Sequence, residues 1–263
     1  MTDVLARRDL FEWAADCHGV WTTLANSKAA ETVERVRVFD RPFPFFNVPT
    51  SLNDDESPLV IPPLARTVTI GVELACRVGL RGSDVRGADG ANPVESYHAF
   101  VAVRDSSHHE YARECAKFDV GPVTDPDDPT KDFDYEVSRS WADGFAILSR
   151  AKREAPRGFP ENAAMRLEID GFPAVATDTS AYVHRFESVI EVITRFVRLD
   201  HGDVISLGVA GDVVTLPRGE KLPEGTKLTA TVEEVGTLTV PILDTRGEDN
   251  YYKSIQSRPV TNP

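Results

Sequence analysis

From Thr67 to Gly79 the chain reads TVTIGVELACRVG, and the alternation of side chains along an extended strand sorts these residues into two unlike faces. Val68, Ile70, Val72, Leu74, Cys76 and Val78 form an unbroken apolar row. Thr69, Gly71, Glu73, Ala75 and Arg77 form the other face, so the one acidic residue of the stretch points away from the apolar row, among small side chains. A solvated face or a Glu73–Arg77 ion pair accounts for this pattern, and so does a carboxylate aimed into a pocket.

The remaining pattern is mostly extended. Leu10, Trp13, Ala14, Cys17 and Trp21 recur at helical spacing, which predicts one or two amphipathic helices within the first 35 residues, a small cap on the main body. From Val36 the apolar runs are short and cut by prolines, in VFDRPFPFFNVPTSL and SPLVIPPLA, and this argues against central strands there. A second strand, YHAFVAVRD, ends at Asp105, and Ser107 with Glu110 three residues on is a capping-box pattern that predicts a short helix over SHHEYARECAK. AMRLEIDGFPAVATDTS is a hairpin turning at Asp170-Gly171. Val189, Ile190, Ile193, Phe196 and Val197 predict a helix that ends at Gly202. VISLGVAGDVV, KLTATVEEV and TLTVPIL are further short strands, and DTRGEDNYYKSIQSRPVTNP reads as a tail. One convincing helix among many close strands indicates a β-rich α+β fold, not alternating βαβ units.

Composition narrows the class of partner. The 263 residues are 41% hydrophobic and 27% charged, an ordinary globular balance with enough apolar mass for one large domain or two small ones. Lys+Arg 29 against Asp+Glu 42 gives −13, so nucleic acid and anionic membranes are not expected partners. Cys17, Cys76 and Cys115 are odd in number and lie far apart, so they are read as free thiols in a reducing compartment. Charges break up the N-terminus before an apolar core of signal-peptide length forms, and nothing else approaches a membrane span, so the expected location is the cytoplasm.

The order of the motifs resembles the fumarylacetoacetate hydrolase family. FFNVPTSLNDDESPLVIPP is similar to that family's entry loop, TIGVELACRVG to its ExELAxxIG strand, and AFVAVRDSSHHE to its strand ending in Asn-Asp followed by Ser-Ala-Arg-Asp. AKFDVGPVTDP is similar to a Lys-Ser-Phe-Asp stretch leading into Gly-Pro. The segment from MRLEIDGFPAV to HGDVISLGVAG resembles the closing strands, helix and Gly-Asp-Val-Ile-x-x-Gly turn. No one motif is diagnostic; five in order, from Pro42 to Leu243, are far more specific.

The resemblance implies a mixed β-sandwich roll over residues 41–245, with the helical cap at 1–40 and a tail at 246–263. It also implies an enzyme that acts on a small anionic 2-oxo or 1,3-dicarbonyl acid by C–C hydrolysis, decarboxylation or isomerisation. A divalent cation, usually Mg2+, would be held by two glutamates and an aspartate and would stabilise the developing enolate. Glu73 matches the second glutamate and Asp105 the aspartate, but Gly71 stands where the first glutamate would be. Cation binding is therefore expected to be weakened or lost, unless the acidic loop Asn53-Asp54-Asp55-Glu56 replaces the missing ligand. Lys117 matches a substrate-binding lysine, or else is a helix-end lysine favoured by the dipole. His109 stands at an arginine position, Val209 at a threonine position and Asn47 at a lysine position. His109 or His108 is a candidate acid, base or substitute ligand. A metal-independent enzyme using these histidines and a catalytically silent binding protein are the alternatives. A homodimer is implied by the resemblance alone. His98, His184 and His201 have no motif behind them and are read as structural or surface residues.

Overall fold

A computed structural model describes residues 16–29, 38–63, 65–86, 92–105 and 144–247. Among these residues the strands form two sheets, one of eight and one of five. The larger runs β2 (Phe43–Asn47), β1 (Val20–Leu24), β10 (Val204–Ser206), β5 (Val68–Val78), β6 (Val94–Asp105), β7 (Ala146–Glu154) and β3 (Leu52–Asp54), with β11 (Val214–Leu216) also on β5. The smaller runs β4 (Leu59–Ile61), β13 (Gly236–Asp244), β12 (Lys227–Val232), β8 (Ala164–Ile169) and β9 (Phe172–Asp178). This is the β-rich α+β architecture that the strand pattern predicts.

The smaller sheet shows why its sequence forms strands. Leu228, Ala230 and Val232 alternate inward on β12, and Leu238, Val240 and Ile242 do so on β13. Between them Thr229 and Thr231 meet Thr239 and Thr237 on the wet face, each hydroxyl pair 3.0 Å apart. The inward rows pack on the apolar row of β5 and on Val101 and Val103 of β6 in one continuous core. At the β8–β9 hairpin Asp170 (φ 51°) and Gly171 (φ 79°) both have positive φ, the turn the Asp-Gly pair predicts. The proline-rich segments supply β2, β3 and β4, and all three lie at sheet edges.

Three boundaries differ from the pattern-based expectation. Residues 20–24 are not part of a helical cap: β1 pairs in parallel with β10 and antiparallel with β2, and four of its five residues are buried. The helical spacing that ends at Trp21 thus runs into a strand enclosed by neighbours on both sides, and tertiary pairing overrides it; the earlier members Leu10, Trp13 and Ala14 lie outside the described residues. The helix α1 (Phe186–Thr194) buries Phe186, Val189, Ile190 and Ile193 but stops eight residues before Gly202, leaving Phe196 84% exposed. Residues 84–85 end it: the Asp84 N–H donates to the Thr194 carbonyl (2.8 Å) and the Val85 N–H to the Thr194 hydroxyl (3.0 Å). The body also extends past 245, because the buried Arg246 guanidinium donates to the Leu216 and Pro217 carbonyls and to Asp244. No described helix is long and apolar enough to cross a membrane.

Three histidines without a motif fill packing or surface roles: His184 bonds the Phe39 carbonyl and His201 pairs with Asp16. The third, His98 on β6, is buried. Its Nδ1 lies 2.8 Å from the Ser149 carbonyl, which can only accept, so Nδ1 carries the hydrogen and Nε2 accepts the Ser96 hydroxyl at 2.9 Å. Burial lowers its pKa from 6.5 to about 4. The unfolded chain therefore takes up this proton at higher pH than the folded one, and stability falls as pH drops through the interval between those values. The loss should reach about 3 kcal/mol. Urea unfolding of wild type and His98→Asn at pH 7 and pH 4.5 should show a steeper loss in the wild type; parallel losses would count against this role.

Candidate active site

The β5–β6 ladder pairs Val68 with Asp105, Gly71 with Ala102 and Glu73 with Phe100 without interruption. Directly opposite residues share a face. Gly71, Glu73 and Ala75 therefore lie with Phe100, Ala102 and Arg104, opposite to the core row. This second face is covered too: Ala75, Phe100 and Ala102 pack with Cys17, Val20, Leu52, Ala146, Leu148 and Val204. Glu73 is completely buried there.

A carboxylate so placed must be satisfied from within the protein. Arg104 Nη2 donates to Glu73 Oε1 at 3.3 Å, and this arginine side chain is only 9% exposed. The Ser206 hydroxyl donates to Glu73 Oε2 and itself accepts the Gly208 N–H at 3.1 Å. Arg77 pairs with Asp16 at 2.7 Å instead of Glu73. The polar row continues outward, since Ser206 stands beside Thr22 on β1 and the Thr22 hydroxyl accepts from Asn47 Nδ2 at 2.8 Å. Asn47, at the family's lysine position, is thus on the Glu73 face.

The turn after β10 closes over Gly71. Gly208 has φ 81°, and a Cβ there would sit 1.9 Å from the Thr23 carbonyl oxygen, so only glycine fits. The Tyr182 hydroxyl locks this turn to β5 by accepting the Leu74 N–H and donating to the Gly208 carbonyl, both at 3.0 Å. Burial, reinforced by the nearby Glu73 carboxylate, pushes the Tyr182 phenol well above its ordinary pKa, so it remains a neutral donor. Val209 and Val213 then lie against Gly71: a Cβ at 71 would meet Val213 Cγ1 at 3.3 Å and Val209 Cγ2 at 3.8 Å.

The structure does not bring the two sequence-proposed metal ligands together. Asp105 falls in the alternation of Val101 and Val103, opposite Val68, and is five residues along β6 from the partner of Glu73, about 16 Å. Its Oδ1 accepts the Arg66 N–H at 3.1 Å. The acidic loop is committed elsewhere: Arg150 pairs with Asp54 at 2.8 Å and Glu56 at 2.9 Å, and Asp54 also accepts the Glu56 and Ser57 N–H groups. Among the described residues no three His, Cys, Asp or Glu side chains assemble as a ligand set. The described residues therefore do not fit a divalent cation at Glu73. His108, His109 and Lys117 lie outside the described residues. Pattern reading passed over Arg104 and Ser206. Arg104 was discoverable, because it stands where the resemblance has asparagine and shares its strand parity with Phe100 and Ala102.

Comparison with known proteins agrees with this architecture. A family model, fumarylacetoacetate (FAA) hydrolase C-terminal, matches residues 19–243. The chain belongs to the fumarylacetoacetate hydrolase family. It is 23% identical over 204 residues to an uncharacterized protein of Pyrococcus abyssi, covering 78% of this chain and 80% of that one. Among solved structures, 5-carboxymethyl-2-hydroxymuconate delta-isomerase from Mycobacterium smegmatis is similar at TM-score 0.65 and 22% identity, covering 87% of this chain and 78% of its own. Fumarylpyruvate hydrolase from Pseudomonas aeruginosa, solved with Mn2+ and pyruvate, is similar at TM-score 0.64 and 18% identity, covering 86% and 90%. At these identities the structural likeness establishes a shared fold. As a fumarylacetoacetate hydrolase family member the chain is an enzyme, related to hydrolases and isomerases. Its Gly-Asp-Val-Ile-x-x-Gly motif has a structural basis here. Asp203 Oδ1 accepts the His18 and Gly19 N–H groups at 3.0 and 2.7 Å, tying β10 to the start of β1, and Gly208 makes the turn that carries Val209.

Removing one partner of a buried ion pair strands the other charge. Glu73→Gln is expected to lower the unfolding free energy by about 3–5 kcal/mol. Glu73→Gln combined with Arg104→Gln should recover much of this loss in a urea double-mutant cycle, and additive losses would show that the two side chains are not coupled.

Proposed function

We propose that this enzyme acts on a small 2-oxo or 1,3-dicarbonyl acid, cleaving or isomerising it through an enolate. The observation that supports the reading most is the buried Glu73–Arg104 pair on the strand that resembles the family's ExE strand. It places fixed charge on the sheet face next to the end of β6. The relatives named as acting on a hydroxymuconate and on fumarylpyruvate support the substrate class. His108 and His109 follow Asp105 by three and four residues, so the chain keeps them within about 14 Å of that end.

In this reading His109, with His108 as its neighbour, takes a proton from water as its oxygen adds to a carbonyl carbon, and returns it to the enolate carbon that leaves when the adjacent C–C bond breaks; in isomerisation it moves the proton from the carbon between two carbonyls to the far end of the enolate. Lys117 pairs with the substrate carboxylate and fixes its orientation. The ligand pair Glu73 and Asp105 that the resemblance implies, with Mg2+ or another divalent cation, takes no step here, because the two carboxylates point from opposite faces of β5–β6. Cytoplasmic location and a homodimer complete the proposal.

The test is a panel of acylpyruvates, 2-oxo acids and 1,3-dicarbonyl acids, fumarylpyruvate among them, followed by loss of enol absorbance. Turnover of one class is expected. His109→Ala should lower kcat by about 100-fold or more, and Lys117→Ala should act mainly by raising KM. No turnover across the panel, or full activity in both variants, would sink the proposal.

A further inference from the structure

We infer that the Arg104 guanidinium is the resident cation of the Glu73 face, standing where the divalent cation of related enzymes would be, and that this face has given up metal binding at Glu73. The inference rests on the described surroundings of Glu73 and is independent of which acid the enzyme turns over.

Four observations converge. A carboxylate oxygen binds a metal through lone pairs aimed at it, yet Oε1 of Glu73 accepts from Arg104 Nη2 at 3.3 Å and Oε2 accepts the Ser206 hydroxyl. A divalent ion at this carboxylate would also sit against a guanidinium that is never deprotonated, in a buried setting where like charges repel strongly. The position two residues earlier, which would have to supply a second carboxylate on the same face, is Gly71, where a Cβ would be crowded by Val213 at 3.3 Å and touch Val209 at 3.8 Å. Finally, the next acidic residue on β6, Asp105, lies on the other face and accepts the Arg66 N–H.

Lost glutamate and gained arginine form one compensated exchange. Removing the carboxylate at 71 and the ion between the ligands would leave Glu73 as an isolated buried anion, which a side chain of opposite charge on the same face must neutralise. Arg104 shares that face and reaches Glu73 across Ala102 and Gly71, two of the small residues of the row. Small side chains at 71 and 102 are what let the guanidinium pass.

The experiment is a Mn2+ titration of the full chain followed by electron paramagnetic resonance, on wild type, Glu73→Gln and the triple variant Gly71→Glu/Arg104→Asn/Val213→Ala. Wild type and Glu73→Gln should take up Mn2+ indistinguishably. The triple variant should gain one Mn2+ per chain with at least tenfold tighter binding, lost again when Glu73→Gln is added. One Mn2+ per wild-type chain that disappears in Glu73→Gln would overturn the inference. Should that variant not fold, a wild-type crystal soaked in Mn2+ decides the matter: anomalous density at the Glu73 carboxylate overturns the inference, and its absence there, with Arg104 in place, supports it.

Discussion

The middle of the β5–β6 ladder is covered on both faces, and the polar side chains buried there, Glu73 and His98, must find their partners inside the protein. One face carries the main core, where the valines and leucines of β5 meet the inward rows of β12 and β13. The other carries a smaller apolar cluster from β1, β3, β5, β6, β7 and β10. In the five-stranded sheet the outward face is wet and threonines suffice. Around Glu73 and His98 no such outlet exists, which is why Glu73 recruits Arg104 and Ser206, and His98 recruits Ser96 and Ser149.

That constraint makes the departures from the family pattern a set and not a scatter. Without a carboxylate at 71, the turn after β10 brings Val209 against the strand, with Val213 beside it. Glu73, buried and with no carboxylate beside it at 71, is met by a positive side chain, which the position aligned with asparagine supplies in Arg104. Gly208 and Tyr182 hold the turn in place on both sides, one by fitting under the Thr23 carbonyl and the other by bridging Leu74 to Gly208.

Much of the scaffold is legible in the sequence because strand alternation is a local property. The inward rows of β5, β12 and β13, the Asp170-Gly171 turn and the edge placement of the proline-rich strands all follow from side-chain period and backbone preference. The spacing that ends at Trp21 misled because a helical period of a few residues carries less weight than the neighbours that enclose β1 in the sheet. The end of α1 was hidden for a similar reason: Asp84 and Val85, more than a hundred residues away in the chain, supply the donors that stop it at Thr194.

The sequence by itself determined that Glu73 points away from the core row, that Gly71 leaves it without its usual companion, and that five motifs stand in family order. These are matters of alternation and order along one chain. Only the tertiary structure decided what neutralises Glu73. Arg104 lies 31 residues downstream, and Ser206 133 residues downstream on β10. The register of β5 against β6 and β10 sets both pairings. The same register turned Asp105 to the opposite face, because one step along a strand exchanges inside for outside.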